Sequence, residues 1–161
     1  MERRSATVAR DLGVRDNVVM NDSSREPQAR VMIVDDHPMW RDAVERDLVA
    51  RGYDVVATAG SVREAVDRAR ATRPDLVLMD MNLPDGNGAD ATSAIMLTLA
   101  EVKVLVLSAS SARSDVLDAV KVGASGYLLK SASAAELVDA VEATLRGDAV
   151  FTPELAGLVL A

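Results

Sequence analysis

The sequence predicts an α/β protein, a doubly wound five-stranded parallel sheet with helices on both faces. Three observations lead there. Short apolar runs alternate five times with segments of helical spacing between residues 30 and 147. Within each run consecutive positions are apolar, so both faces of the strand are buried, as in parallel sheets. Most runs then give way abruptly to polar residues, and in such folds those residues share the carboxyl edge of the sheet.

The first run is VMIV, residues 31–34, followed by helical spacing from Pro38 to Ala50. YDVVATA (53–59) reads as a second strand. SVREAVDRARAT (61–72) opens with Ser61 and Glu64, the spacing of a capping box. LVLM (76–79) is the third strand, and ADATSAIMLTL (89–99) follows a Pro/Gly loop as a helix. VKVLVL (102–107) is the fourth strand, and ARSDVLDAVKVG (112–123) is a helix closed by Gly123. GYLL (126–129) is the fifth strand, and a helix over 133–147 starts at a second box, Ser133 with Glu136. Right-handed crossovers then cover both faces.

Residues 1–29 differ from this pattern. Five Arg balance five acidic residues, no period is sustained, and a polar stretch, NDSSREPQ, ends them. They are expected to be a disordered N-terminal extension. The domain is expected over 30–148, and 149–161 as the start of a linker. At 161 residues the chain supports one core. With aromatics at 2%, that core is made of aliphatic residues and Met. A net charge of −7 disfavours phosphate-backbone binding by this segment. With no Cys and a single His, thiolate and His-rich metal sites are excluded. No apolar run approaches the about 20 residues of a membrane span, and charges interrupt any signal peptide. A cytoplasmic location is the expectation.

The polar residues at the strand ends carry the chemistry. Asp35 and Asp36 follow the first run, Asp80 the third, Ser108 the fourth and Lys130 the fifth. Adjacent carboxylates repel, so a neutralising partner is expected nearby. Three carboxylates suit a hard divalent cation, Mg²⁺ above all. Asp80 could then attack phosphorus, with Lys130 balancing charge and Ser108 donating to a phosphoryl oxygen. Small Ala109 would leave room. Taken singly, each Asp reads equally well as a helix N-cap, Ser108 as a turn residue and Lys130 as a surface charge. His37 reads as a loop residue, Trp40 as packing, and Tyr127 as a half-buried aromatic.

DDHPMWRDAV, MDMNLPDGNG, SAS and GYLLKSAS together resemble the receiver domain of bacterial two-component response regulators, most closely the NarL/FixJ type. The resemblance covers roughly 30–150, and Asp36, Asp80, Ser108 and Lys130 lie 44, 28 and 22 residues apart in turn. It implies a flavodoxin-like (βα)5 receiver fold with strand order 2-1-3-4-5. It implies that Asp80 accepts a phosphoryl group from a sensor histidine kinase. Mg²⁺ would be held by Asp35, Asp36, Asp80 and the carbonyl of Asn82, with Asp36 the more direct ligand. Ser108 and Lys130 would contact the phosphoryl group, and Tyr127 would be the switch aromatic. Ser110 would bear on the lifetime of the phosphate. Ser131 stands where many receivers have Pro, and the NarL type often has another polar residue there.

In that type a DNA-binding helix-turn-helix follows the linker. FTPELAGLVLA begins such a linker, and the expected DNA contact belongs to a part absent from this sequence. The apolar side of the last helix and the tail (Leu137, Val138, Val141, Leu145, Val150, Phe151, Leu155) is expected to be mostly core, with a remainder able to support a homodimer. A regulatory switch rather than an enzyme is therefore expected. The alternatives are a stand-alone receiver or a haloacid-dehalogenase-like phosphatase. Against the phosphatase, Asn82 stands where a second Asp would serve as proton donor. A flavodoxin-like nucleotide binder is disfavoured because no Gly-rich loop follows the first strand.

Overall fold

The computed structural model describes residues 28–160, with side chains described to Leu158. Of the extension expected over 1–29, only Gln28 and Ala29 fall within the described residues. Five strands form one sheet: β1 (Arg30–Val34), β2 (Asp54–Ala59), β3 (Leu76–Asp80), β4 (Lys103–Ser108) and β5 (Gly126–Leu129). All neighbours pair in parallel, in the order β2-β1-β3-β4-β5. This is the order that the resemblance implied. Helices α1 (Pro38–Ala50), α2 (Val62–Thr72), α3 (Gly88–Thr98), α4 (Arg113–Lys121) and α5 (Ala134–Leu145) connect and follow the strands.

Two cores flank the sheet because successive side chains on a strand point to opposite faces. Val31, Ile33, Leu76, Leu78, Leu105, Leu107 and Leu128 meet Val44 and Leu48 of α1 and Leu137, Val138 and Val141 of α5. Met32, Val34, Val77, Met79, Val104, Val106 and Tyr127 meet Ala65 and Ala69 of α2, Ile95 of α3 and Val116 of α4. Small residues on α2 let it sit close to the sheet with little aromatic volume in the core.

The caps show where local chemistry agrees with the sequence pattern. Ser133 forms the full capping box with Glu136 at the start of α5. At α2 only half of the box forms. Ser61 accepts from the Glu64 amide, but the Glu64 carboxylate accepts from Gly60 rather than Ser61. Asp85 instead takes the amides of Val62 and Arg63. A two-residue hairpin, Asn82–Leu83 against Gly86–Asn87, fills the Pro/Gly loop after β3.

The tail differs from a bare linker. Val150 bridges to Gly126 on the open edge of β5, and its carbonyl accepts the Tyr127 amide at 2.8 Å. A sixth helix, α6 (Pro153–Leu160), then packs against α4. Leu155 is 2% exposed and joins the Tyr127 side of the core. Covering an open strand edge removes unpaired backbone groups from water and blunts edge-to-edge pairing. Truncation by Leu155→Ala is expected to cost about 2 kcal/mol, at the low end because the tail can relax. Urea unfolding measures it, and hydrogen exchange should show the Tyr127 amide losing protection. An unchanged midpoint with full protection would show that the tail contributes nothing.

This packing makes core of most of the apolar side of α5 and the tail, as expected. Leu137, Val138, Val141 and Leu155 are buried, and Leu145, Val150 and Phe151 are partly so, each packed within the chain. The three partly buried residues are the remainder of that apolar side. Among the described residues no helix is long and apolar enough to cross a membrane.

Candidate functional site

The carboxyl ends of β1, β3 and β5 bring three of the polar residues together. Asp35 lies one residue past β1, where its amide donates to the Ala59 carbonyl and continues the β1–β2 ladder. Asp80 is the last residue of β3, paired with Leu107 of β4. Lys130 is the first residue past β5, and its amide donates to the Ser108 carbonyl at 2.8 Å. The crossovers from β1 and β3 leave toward opposite faces, so Asp35 and Asp80 flank the crevice where the strand order reverses.

Lys130 ties the two acids together. Its Nζ donates to Asp35 Oδ2 at 2.5 Å and lies 3.2 Å from Asp80 Oδ2. The Trp40 ring lies under the same ammonium, 4.8 Å from centroid to Nζ. Trp40 is thus more than packing, because it faces a charged group. Asp35 Oδ1 accepts from the His37 amide at 2.8 Å, and the His37 ring Nδ1 lies 2.9 Å from it. The same Nδ1 is 3.0 Å from Asp36 Oδ1. Arg41 donates to the Asp35 backbone carbonyl at 2.6 Å. The Asn82 amide donates to Asp80 Oδ1 at 3.2 Å.

These contacts set the charges. Burial pushes the Asp35 carboxyl up, but the Lys130 and His37 hydrogen bonds outweigh it, and its pKa falls below the ordinary value. Burial dominates at Asp80 and the Asp35 charge adds to it, so its pKa rises despite the Asn82 amide and Lys130. Burial works against the Lys130 ammonium, yet the two carboxylates hold its pKa above the usual lysine value.

None of the three acids is an N-cap. That place is taken by His37 for α1 and Asn87 for α3. Asp35 and Asp36 look alike in sequence but differ in surroundings. Asp35 is fully buried, whereas the Asp36 side chain is 36% exposed. Ser108 is the buried last residue of β4, one position inside the strand rather than after it. Its Oγ accepts from the Ser110 amide at 3.1 Å. Tyr127 is fully buried rather than half-buried, because the tail covers its edge of the sheet. Its hydroxyl donates to the Ser110 carbonyl at 2.7 Å.

Carboxylate oxygens of Asp35, Asp36 and Asp80 and a ring nitrogen of His37 all come within 4.8 Å of one another. Oxygen donors from three carboxylates match the needs of a hard divalent cation. Sequence reasoning gave His37, Arg41 and Gly88 no part in this site. His37 could have been suspected from its place beside the acidic pair, and Gly88 from its place at a helix start. Arg41 carries no such signal.

Residues 31–142 match the family described as the response regulator receiver domain. The chain is similar to the transcriptional regulatory protein DegU of Brevibacillus brevis, 38% identical over 137 residues, covering 84% of this chain and 58% of DegU. It thus spans about three-fifths of that relative's length. A two-component response regulator of the LuxR family from Aurantimonas sp. SI85-9A1 is 40% identical, with a TM-score of 0.76. That alignment covers 83% of this chain and 96% of the other. The signal receiver domain of the response regulator NarL from Mycobacterium tuberculosis is 33% identical with a TM-score of 0.72, covering 76% of this chain and 99% of that one. With this family match over most of its length and the acidic crevice at the carboxyl ends of its strands, the chain belongs to the response regulator receiver domains of two-component systems, of the NarL/LuxR type.

Proposed function

We propose that the chain is a phosphorylation switch in which Asp80 accepts a phosphoryl group from a phosphohistidine of a sensor kinase. The convergence of Lys130 on both Asp35 and Asp80 is the observation that carries this reading. In the transfer the P–N bond of the donor breaks as a P–O bond to an Asp80 oxygen forms. The imidazole keeps the electron pair of the broken bond. Lys130 faces the charge that moves onto the new acyl phosphate, and the buried crevice limits water. Asp35, Asp36, Asp80 and the Asn82 carbonyl would hold Mg²⁺. Bound there, it would offset charge on the phosphoryl oxygens.

Ser110 supports a route for the switch. Its amide donates to Ser108 Oγ and its carbonyl accepts from the Tyr127 hydroxyl. A Ser108 hydroxyl drawn toward the phosphoryl group would break the first bond and disturb the second. Tyr127 would carry that change to the Val150 carbonyl and α6 through its own amide. Inverting a 1:99 population would take about 5.5 kcal/mol of differential binding. The output we propose is transcription control through a DNA-binding helix-turn-helix unit, and DegU, a named transcriptional regulatory protein, supports it. Partnership with a cytoplasmic kinase domain and a phosphorylation-dependent homodimer complete this reading. A switch of this kind is not a turnover enzyme.

Acetyl phosphate with Mg²⁺ is expected to add one labile phosphoryl group to the intact mass, and Asp80→Asn to add none. Sustained hydrolysis of phosphomonoesters with no adduct would favour the phosphatase alternative. Light scattering with beryllofluoride tests the homodimer, and an unchanged monomer would contradict it.

A further inference from the structure

His37 does something here that neither an N-cap nor a loop residue requires. Its backbone amide and its ring Nδ1 both reach Asp35 Oδ1, at 2.8 and 2.9 Å, and the same Nδ1 lies 3.0 Å from Asp36 Oδ1. The side chain is 70% exposed, so no packing forces the ring inward. No side-chain hydrogen bond caps α1 from this position. The imidazole is therefore held against the carboxylates by polar attraction alone, with one nitrogen directed at the cation-binding oxygens.

We propose that His37 makes this site selective between cations, supplying a nitrogen ligand to divalent ions softer than Mg²⁺, such as Zn²⁺. The proposal rests on the metal-site reading above. Imidazole suits Zn²⁺, Ni²⁺ and Cu²⁺, whereas Mg²⁺ prefers oxygen donors and water. A ring nitrogen of His37 and oxygens of Asp35, Asp36 and Asp80 fall within 4.8 Å of one another, so four protein donors can meet on one ion, with the proton that Nδ1 shares with the carboxylates released to solvent as the ion binds. That is the ligand count of a protein-held Zn²⁺. Mg²⁺ has no use for the nitrogen and must share the carboxylates with the ring. The same residue thus acts with opposite sign on the two ions. Zn²⁺ would compete for the site that the phosphoryl transfer needs.

His37 is the only histidine in the chain, so its ring nitrogens give one unambiguous set of resonances. In the ¹⁵N-labelled full chain, ZnCl₂ is expected to shift Nδ1, and MgCl₂ to leave the ring unligated. Calorimetry is expected to show Zn²⁺ binding weakened about ten-fold or more by His37→Ala, with Mg²⁺ binding unchanged or tighter. Asp36→Ala is expected to weaken both ions. Unmoved ring nitrogens, or equal Zn²⁺ affinity in His37→Ala while Asp36→Ala still weakens both ions, would overturn the nitrogen ligand alone. Unchanged binding of both ions in Asp36→Ala would overturn the metal site and, with it, this proposal.

Discussion

Replacing Lys130 by Met is expected to lower the unfolding free energy of the metal-free protein by about 3 kcal/mol. Met keeps most of the length and the apolar stem but removes the ammonium. Asp35, fully buried, and Asp80, 3% exposed, then face each other with only hydrogen bonds to oppose their repulsion. The lost contacts are the 2.5 Å bond to Asp35 and the 3.2 Å ion pair to Asp80. An uncompensated buried charge is among the larger penalties a single substitution can create. Urea unfolding in a chelator measures it, and Mg²⁺ should recover part of the loss.

The pH dependence has a defined sign. Asp35 has a depressed folded pKa, so its contribution is present above the unfolded carboxylate value and is lost as pH falls through the folded one. Lys130 has a raised folded pKa, so its contribution is present below the unfolded lysine value and is lost as pH rises through the folded one. The deficit of Lys130→Met should therefore shrink in acid, where protonated carboxyls need no counter-charge. A deficit that stays constant into acid would mean that the lysine acts through packing on Trp40.

Gly88→Ala is expected to destabilise the fold by about 3 kcal/mol, the upper part of the range for overpacking. A Cβ at Gly88 would lie 2.4 Å from the Asp80 carbonyl oxygen and 3.0 Å from both Asp80 C and Met79 Cγ. The nearest atom is backbone of the central strand and cannot step aside as a flexible side chain can. Either α3 lifts from β3, breaking the 2.9 Å bond from the Gly88 amide to Met81, or the end of β3 shifts. Both outcomes move the Asp80 carboxylate relative to Lys130. Acetyl phosphate labelling should slow together with the loss of stability. Full labelling at wild-type rate with wild-type stability would show that the close approach is not required.

Much of the fold was legible because the strands are apolar on both faces, which fixes a covered parallel sheet. The convergence of Asp35, Asp80 and Lys130 was legible for the same reason, since parallel strands end at one edge. What periodicity could not supply was the direction of each side chain past a strand end. Asp35 is fully buried and Asp36 partly exposed although they are neighbours of one type, and the His37 amide and Lys130 hold Asp35 where it is. Nor could the half-formed box at α2 be anticipated, because the Glu64 carboxylate takes the Gly60 amide and Asp85, from a separate loop, takes those of Val62 and Arg63. The burial of Tyr127 depends on Val150 and Leu155, in a tail whose composition reads equally well as linker.

The central claim is that one particular carboxylate receives the phosphoryl group. Borohydride reduction after acetyl phosphate treatment converts an acyl phosphate to an alcohol and marks the residue that carried it. Peptide sequencing is predicted to find the reduced residue at Asp80 alone. Reduction at Asp35, Asp36 or Asp85, or at no aspartate despite a mass adduct, would contradict the account.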